Sequence, residues 1–175
     1  MTSTVPKLQL SRDMLPRLSP VFQKGFRVEI ETGCTLESLL CDQWKLTHNY
    51  VMEKISTLFL DAKPVDDISN AWIAEGSVLA LSSAMPGLVG AIMRRNGFFS
   101  PLREGITYRE KAVKHHVRRG LITVKLFNLL IQDLGPRFLA MGFFVNRNDL
   151  PADLYESLGE RLVAGRSIFI IDDLN

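Results

Sequence analysis

Residues 55–81, ISTLFLDAKPVDDISNAWIAEGSVLAL, constrain the fold of this chain more than any other stretch. Thr57, Leu58, Phe59 and Leu60 form a short run of strand-favouring residues, and Asp61, Ala62, Lys63 and Pro64 end it with polar turn chemistry and a proline. Val65 is expected to return to the core. Glu75, Gly76 and Ser77 form a second tight-turn signal, since glycine supplies the positive backbone angle such turns need, and Val78, Leu79, Ala80 and Leu81 read as a second buried strand. A strand and a helix precede this unit. Residues 26–31, FRVEIE, alternate apolar and charged side chains, the pattern of a strand with one buried and one wet face. Leu36, Leu39, Leu40, Gln43 and Trp44 then follow helical spacing, with Thr35 as N-cap and Ser38 where a full capping box would place Glu or Gln. Val51, Met52 and Ile55 repeat the period after a softer section in which Thr47 can cap a second turn. Residues 36–55 therefore read as two short helices or one kinked helix packed across the sheet. The expected core includes Leu39, Leu40, Trp44, Phe59, Leu79 and Leu81.

That order, with the patterns FLDAKPVDD and EGSVLALS, resembles the second half of a ubiquitin-like β-grasp domain, particularly the small sulphur-carrier proteins of molybdopterin and thiamine synthesis. The resemblance implies an α+β fold: a β-grasp-like mixed sheet with a helix across one face, built from residues 1–83. In those carriers a terminal Gly-Gly carboxylate is adenylated and converted to a thiocarboxylate, and here the chain departs from the pattern. After the last strand it reads Ala84, Met85, Pro86, Gly87, Leu88, Val89, Gly90 and runs on to Asn175. Carrier chemistry would require processing near Gly87 or Gly90.

The flanking segments carry weaker signals. Pro6, Pro16 and Pro20 predict an extended arm over residues 1–20, with residues 8–10 pairing at a sheet edge, and Val21 and Phe22 pairing with residues 26–31 across Lys24 and Gly25. Residues 84–105 read as a connector interrupted by Pro86, Gly87, Gly90, Gly97 and Pro101, part of which packs through Leu88, Val89, Ile92 and Met93. Residues 106–175 read as a C-terminal α/β extension. Its expected order is a strand at 106–117, a turn at Arg118, Arg119 and Gly120, and an antiparallel mate at 121–124. A helix with Phe127, Leu130, Ile131 and Leu134 on one face follows, kinked or restarted at Gly135 and Pro136 and ended by Gly142. A strand at 143–145, a helix at 151–162 and a closing strand at 167–171 complete the chain.

At 175 residues and 46% hydrophobic content the chain can bury a real core. No apolar run approaches the roughly 18 residues of a membrane span and the N-terminus lacks a secretion signal, so a cytoplasmic protein without membrane partners is expected. Cys34 and Cys41 match neither a redox pair nor a zinc set and read as reduced packing residues, although a helix start at Gly33 and Cys34 would favour a thiolate.

The net charge of +2 is unevenly spread. Between residues 29 and 75 nine acids face three lysines; between 94 and 125 nine bases face Glu104 and Glu110. This asymmetry suits an anionic partner, or two segments that complement each other. Arg94, Arg95, Arg109, Lys111, Lys114, His115, Arg118 and Arg119 are the candidate anion-binding residues, with Phe98 and Phe99 near enough in sequence to stack on bases. His115 and His116 would point to opposite faces of a strand, and the paired carboxylates Asp66–Asp67 and Asp172–Asp173 would diverge. With no hydrolase, P-loop, metalloprotease or dinucleotide motif, no catalytic residue, metal or cofactor is expected. The chain reads as a non-enzymatic binding or assembly module for a protein partner or a second copy. The alternative is a nucleic-acid or other polyanion binder using residues 94–119.

Overall fold

In chain order the elements are β1 (Lys7–Leu8), α1 (Leu15–Lys24), β2 (Phe26–Thr32), β3 (Cys34–Thr35), a π-helical turn (Ser38–Gln43), α2 (His48–Lys54), β4 (Thr57–Leu60), β5 (Lys63–Pro64), β6 (Trp72–Ile73), β7 (Val78–Ser82), α3 (Gly87–Met93), a 3-10 turn (Ser100–Arg103), β8 (Arg118–Phe127), α4 (Leu129–Met141), β9 (Phe143–Asn146) and β10 (Ile168–Ile171). They come from a computed structural model that describes residues 7–8, 15–109, 116–152 and 168–171. The fold is α+β. A mixed sheet runs in the order β1-β10-β9-β2-β8-β7-β4-β5, its six-strand body lying between β9 and β5, and β3 with β6 forms a small second sheet.

Period-two alternation decides which face is buried. Phe26, Val28 and Ile30 of β2 stand opposite Val124, Ile122 and Gly120 of β8. Leu79 and Leu81 of β7 stand beside Val124 and Leu126, and opposite Leu60 and Leu58 of β4. These residues make one buried layer. Phe59 falls on the other face of β4 with Ala80 and is half-buried, which corrects its assignment to the core. Leu39, Leu40, Trp44, Leu79 and Leu81 are buried as expected. Leu40→Ala should therefore cost about 2–5 kcal/mol, and Phe59→Ala only about 1 kcal/mol, in urea denaturation; equal losses would contradict the two-face assignment.

The helical stretch forms two pieces, each with the cap its sequence supplies. Thr35 Oγ1 accepts from the Ser38 amide at 3.2 Å, and Thr47 Oγ1 accepts from the Tyr50 amide at 3.2 Å. Between them the backbone takes a π register, Trp44 N–H donating to Leu39 O at 2.9 Å.

Two local readings are corrected. Residues 15–24 are helical, neither an arm nor a hairpin strand, because Leu15, Leu18, Val21 and Phe22 recur at helical spacing and all are buried. Pro16 lies in the first turn, where its missing donor costs nothing, and Pro20 is exposed. The second concerns Arg118, Arg119 and Gly120, which continue β8 and make no turn. Gly120 is small because a Cβ there would meet Thr32 Cγ2 at 3.0 Å and the Glu75 side chain at 3.3 Å. Residues 104–107 are turns, and residues 121–124 pair antiparallel with β2 and parallel with β7, with no hairpin mate among the described residues. Phe127 closes β8, and α4 continues through Pro136 to Gly142, whose φ is 87°. The expected strands at 143–145 and 167–171 correspond to β9 and β10. Most of the expected helix at 151–162 lies outside the described residues.

Candidate functional site

Parallel neighbours require a crossover, and β7 and β8 are parallel. The connector is that crossover. Gly87, at φ 72°, opens α3, and Gly90 lets α3 press on the preceding chain, since a Cβ there would sit 1.8 Å from the Met85 carbonyl oxygen. A positive φ at Gly87 and close packing at Gly90 thus account for the two glycines that follow β7.

Arg103 holds the connector together. Its side chain is 1% exposed, and all five of its N–H groups have acceptors. Nε donates to Ile92 O at 2.8 Å; Nη1 donates to Asp66 Oδ2 at 3.0 Å and Thr107 Oγ1 at 2.8 Å; Nη2 donates to Asp66 Oδ1 at 2.6 Å and Arg94 O at 3.2 Å. The bidentate pair ties α3, the 3-10 turn and the chain beyond it to the loop after β5. Asp66 also accepts from the Asn96 amide at 2.9 Å. Two further backbone bonds fasten the segment to the strands: Arg95 N–H to Ser56 O at 2.8 Å and Tyr108 N–H to Pro64 O at 2.8 Å.

Burial pushes the Asp66 carboxyl upward, but the Arg103 and Asn96 hydrogen bonds outweigh it and hold the group below its ordinary value of 3.8. A carboxylate held low in the folded state stabilises fully above its unfolded pKa, and that contribution disappears as the pH falls through the folded one. The Asn96 amide resonance should therefore shift with a midpoint below 3.8 in an acid titration followed by NMR. A midpoint above that value would contradict the bonding scheme.

The outer side of this clamped unit is apolar. Phe98 is 90% exposed, Leu102 71% and Leu88 67%, with Val89, Phe99 and Ile106 also open to solvent. The Phe98 and Phe99 rings stack edge to face at 5.1 Å. Arg94 and the solvated pair Arg109–Glu104, at 3.1 Å, are the exposed charges of the same segment, Arg95 and Arg103 being buried. Exposed apolar side chains grouped on one short segment make it a candidate contact surface.

Of the candidate anion-binding residues, Arg95, Arg118 and Arg119 have separate surroundings among the described residues. Arg95 is buried; its Nη2 donates to Val51 O at 2.6 Å, and its Nη1 has no partner among the described residues. Arg118 and Arg119 belong to β8, where they pair with Glu75 at 2.9 Å and Glu29 at 3.5 Å. The acidic and basic halves thus partly neutralise each other within one chain. Lys111, Lys114 and His115 lie outside the described residues, and His116 is exposed. Cys34 sits in β3 ahead of the helical turn, and burial raises its thiol pKa, against a reactive thiolate. Among the described residues no group of three or more His, Cys, Asp or Glu is placed to hold a metal ion, and no helix is long and apolar enough to cross a membrane.

Sequence reasoning missed Arg103 and Asp66 as partners. The only trace they leave is one arginine and one aspartate, each inside a turn-rich segment. It also missed Asn128, at φ 58°, whose amide donates to Ser82 Oγ at 3.0 Å beside a cavity of about 330 Å³ lined by Phe59, Met85, Pro86 and Phe127. No protein-family model matches the chain, and no curated protein or solved structure matches it either.

Proposed function

We propose that this protein is a non-enzymatic binding module that docks through the connector surface formed by residues 86–109. The observation that carries the reading is the pairing of exposed apolar side chains with a fully satisfied buried arginine in the same segment. Ordering such a segment costs conformational entropy, and pre-ordering it in the free protein lowers the cost of binding. A β-grasp-type scaffold is part of the proposal. The run β2-β8-β7-β4-β5 has a parallel central pair and helical segments over one face. In this reading β8 supplies from downstream the inner strand that would otherwise precede β2, a permuted order in which the crossover becomes the functional insertion. The nucleic-acid alternative has less support, because Arg95 is buried and Arg118 and Arg119 already face carboxylates.

The test is quantitative affinity capture from the native host with three baits: the wild-type chain, Phe98→Ser/Leu102→Ser, and Leu129→Ser as a control at an exposed apolar residue of α4. A defined set of bound chains should be lost from the first variant alone. If all three baits retain the same set, the connector is not the docking surface.

A further inference from the structure

We infer that the connector surface is covered in solution by the same surface of a second copy of this chain. The inference rests on the docking reading above and names its occupant. Leu88, Val89, Phe98, Phe99, Leu102 and Ile106 together present on the order of 600 Å² of apolar area. That is near the roughly 800 Å² each partner contributes to a standard interface. The charges of the segment decide the occupant. A two-fold contact sets every patch against its own copy, so a rim of one sign would repel itself, whereas a rim with both signs can exchange partners. This rim has both: Arg94, Arg109 and Glu104 are all exposed, and the Arg109–Glu104 pair is solvated on both sides. In the dimer Glu104 of one copy meets Arg94 or Arg109 of the other, while the apolar centres pack together. The Arg103 clamp fits the same occupant, because a protein surface rewards fixed shape and a lipid surface does not.

Sedimentation equilibrium of the full chain up to roughly 100 µM reads the result. The wild type should sediment as a dimer, and Phe98→Ser/Leu102→Ser should weaken association by roughly tenfold or more. Phe98 and Leu102 are exposed, so at concentrations dilute enough for both to be monomeric the two proteins should melt alike. Glu104→Arg and Arg94→Glu/Arg109→Glu should each weaken the dimer alone and restore it when mixed, which a merely hydrophobic aggregate would not do. A monomeric wild type overturns the inference, as does a dimer indifferent to both sets of variants. If the monomer binds vesicles containing anionic phospholipid through Phe98 and Leu102, the surface belongs to a membrane and the inference falls. If the chain is monomeric yet its connector-dependent capture of another protein persists, the docking reading stands and only the second copy is removed.

Discussion

Asp66→Ala is expected to destabilise the protein by about 3–5 kcal/mol, since it leaves a buried guanidinium without its counter-charge. Arg103 is 1% exposed, and two of its five donors would lose their acceptors; Asp66 is 26% exposed, so water can reach part of the gap and the lower end of that range is expected. The exposed Arg109–Glu104 pair is the internal control. Glu104→Ala should cost under about 1 kcal/mol, because both partners are already solvated. Replacing both buried groups, as in Asp66→Ala/Arg103→Met, should recover part of the loss by removing the stranded charge. Urea denaturation of the wild type, Asp66→Ala, Arg103→Met and the double variant gives the coupling directly. If Asp66→Ala costs no more than Glu104→Ala, the connector is held by something other than this pair. The same substitution is also a test of the proposed docking, which should weaken when the connector loses its fixed shape.

Phe26→Ala is expected to cost about 3–5 kcal/mol and to lower the stability of both ends of the chain together. The Phe26 ring meets Phe22 of α1 at 5.1 Å, Phe138 of α4 at 5.0 Å and Phe143 of β9 at 5.0 Å, and Phe138 in turn meets Trp44 at 4.9 Å. One aromatic cluster therefore joins elements from residue 22 to residue 143, and β2 is hydrogen-bonded to β8 on one side and β9 on the other. Unfolding followed by Trp44 fluorescence, with Trp72 changed to Phe, and by the amide NMR signals of Ile122, Val124 and Leu139 should give coincident transitions before and after the substitution. Separate transitions would mean that residues 1–83 and 106–175 fold as independent units.

Much of the local structure was legible because short-range chemistry determines it. The alternation of Phe26, Val28 and Ile30 marked one face of a strand, Thr35 and Thr47 occupied the caps that their spacing to Ser38 and Tyr50 allowed, and Gly142 ended a helix as only a residue tolerant of positive φ can. Those features depend on neighbours a few residues away. The order of strands does not. Nothing near Leu121–Val124 indicates that this run inserts between β2 and β7, since antiparallel and parallel pairing use the same backbone groups and the same apolar alternation. Gly120 looked like a turn because glycine in a sequence does not reveal whether it answers a torsion angle or a close neighbour, here Thr32 and Glu75. The candidate site was hidden for the same reason. Arg103 and Asp66 are 37 residues apart, and whether an arginine is a solvated surface charge or a buried clamp depends on what the fold places opposite its five donors. The alternation in β2 and β7, the two threonine caps and the charge asymmetry are readable from neighbouring residues alone. Which charges are neutralised within the chain, and which apolar residues, Phe98 and Leu102 above all, face outward, depends on residues far apart in sequence that the fold brings together.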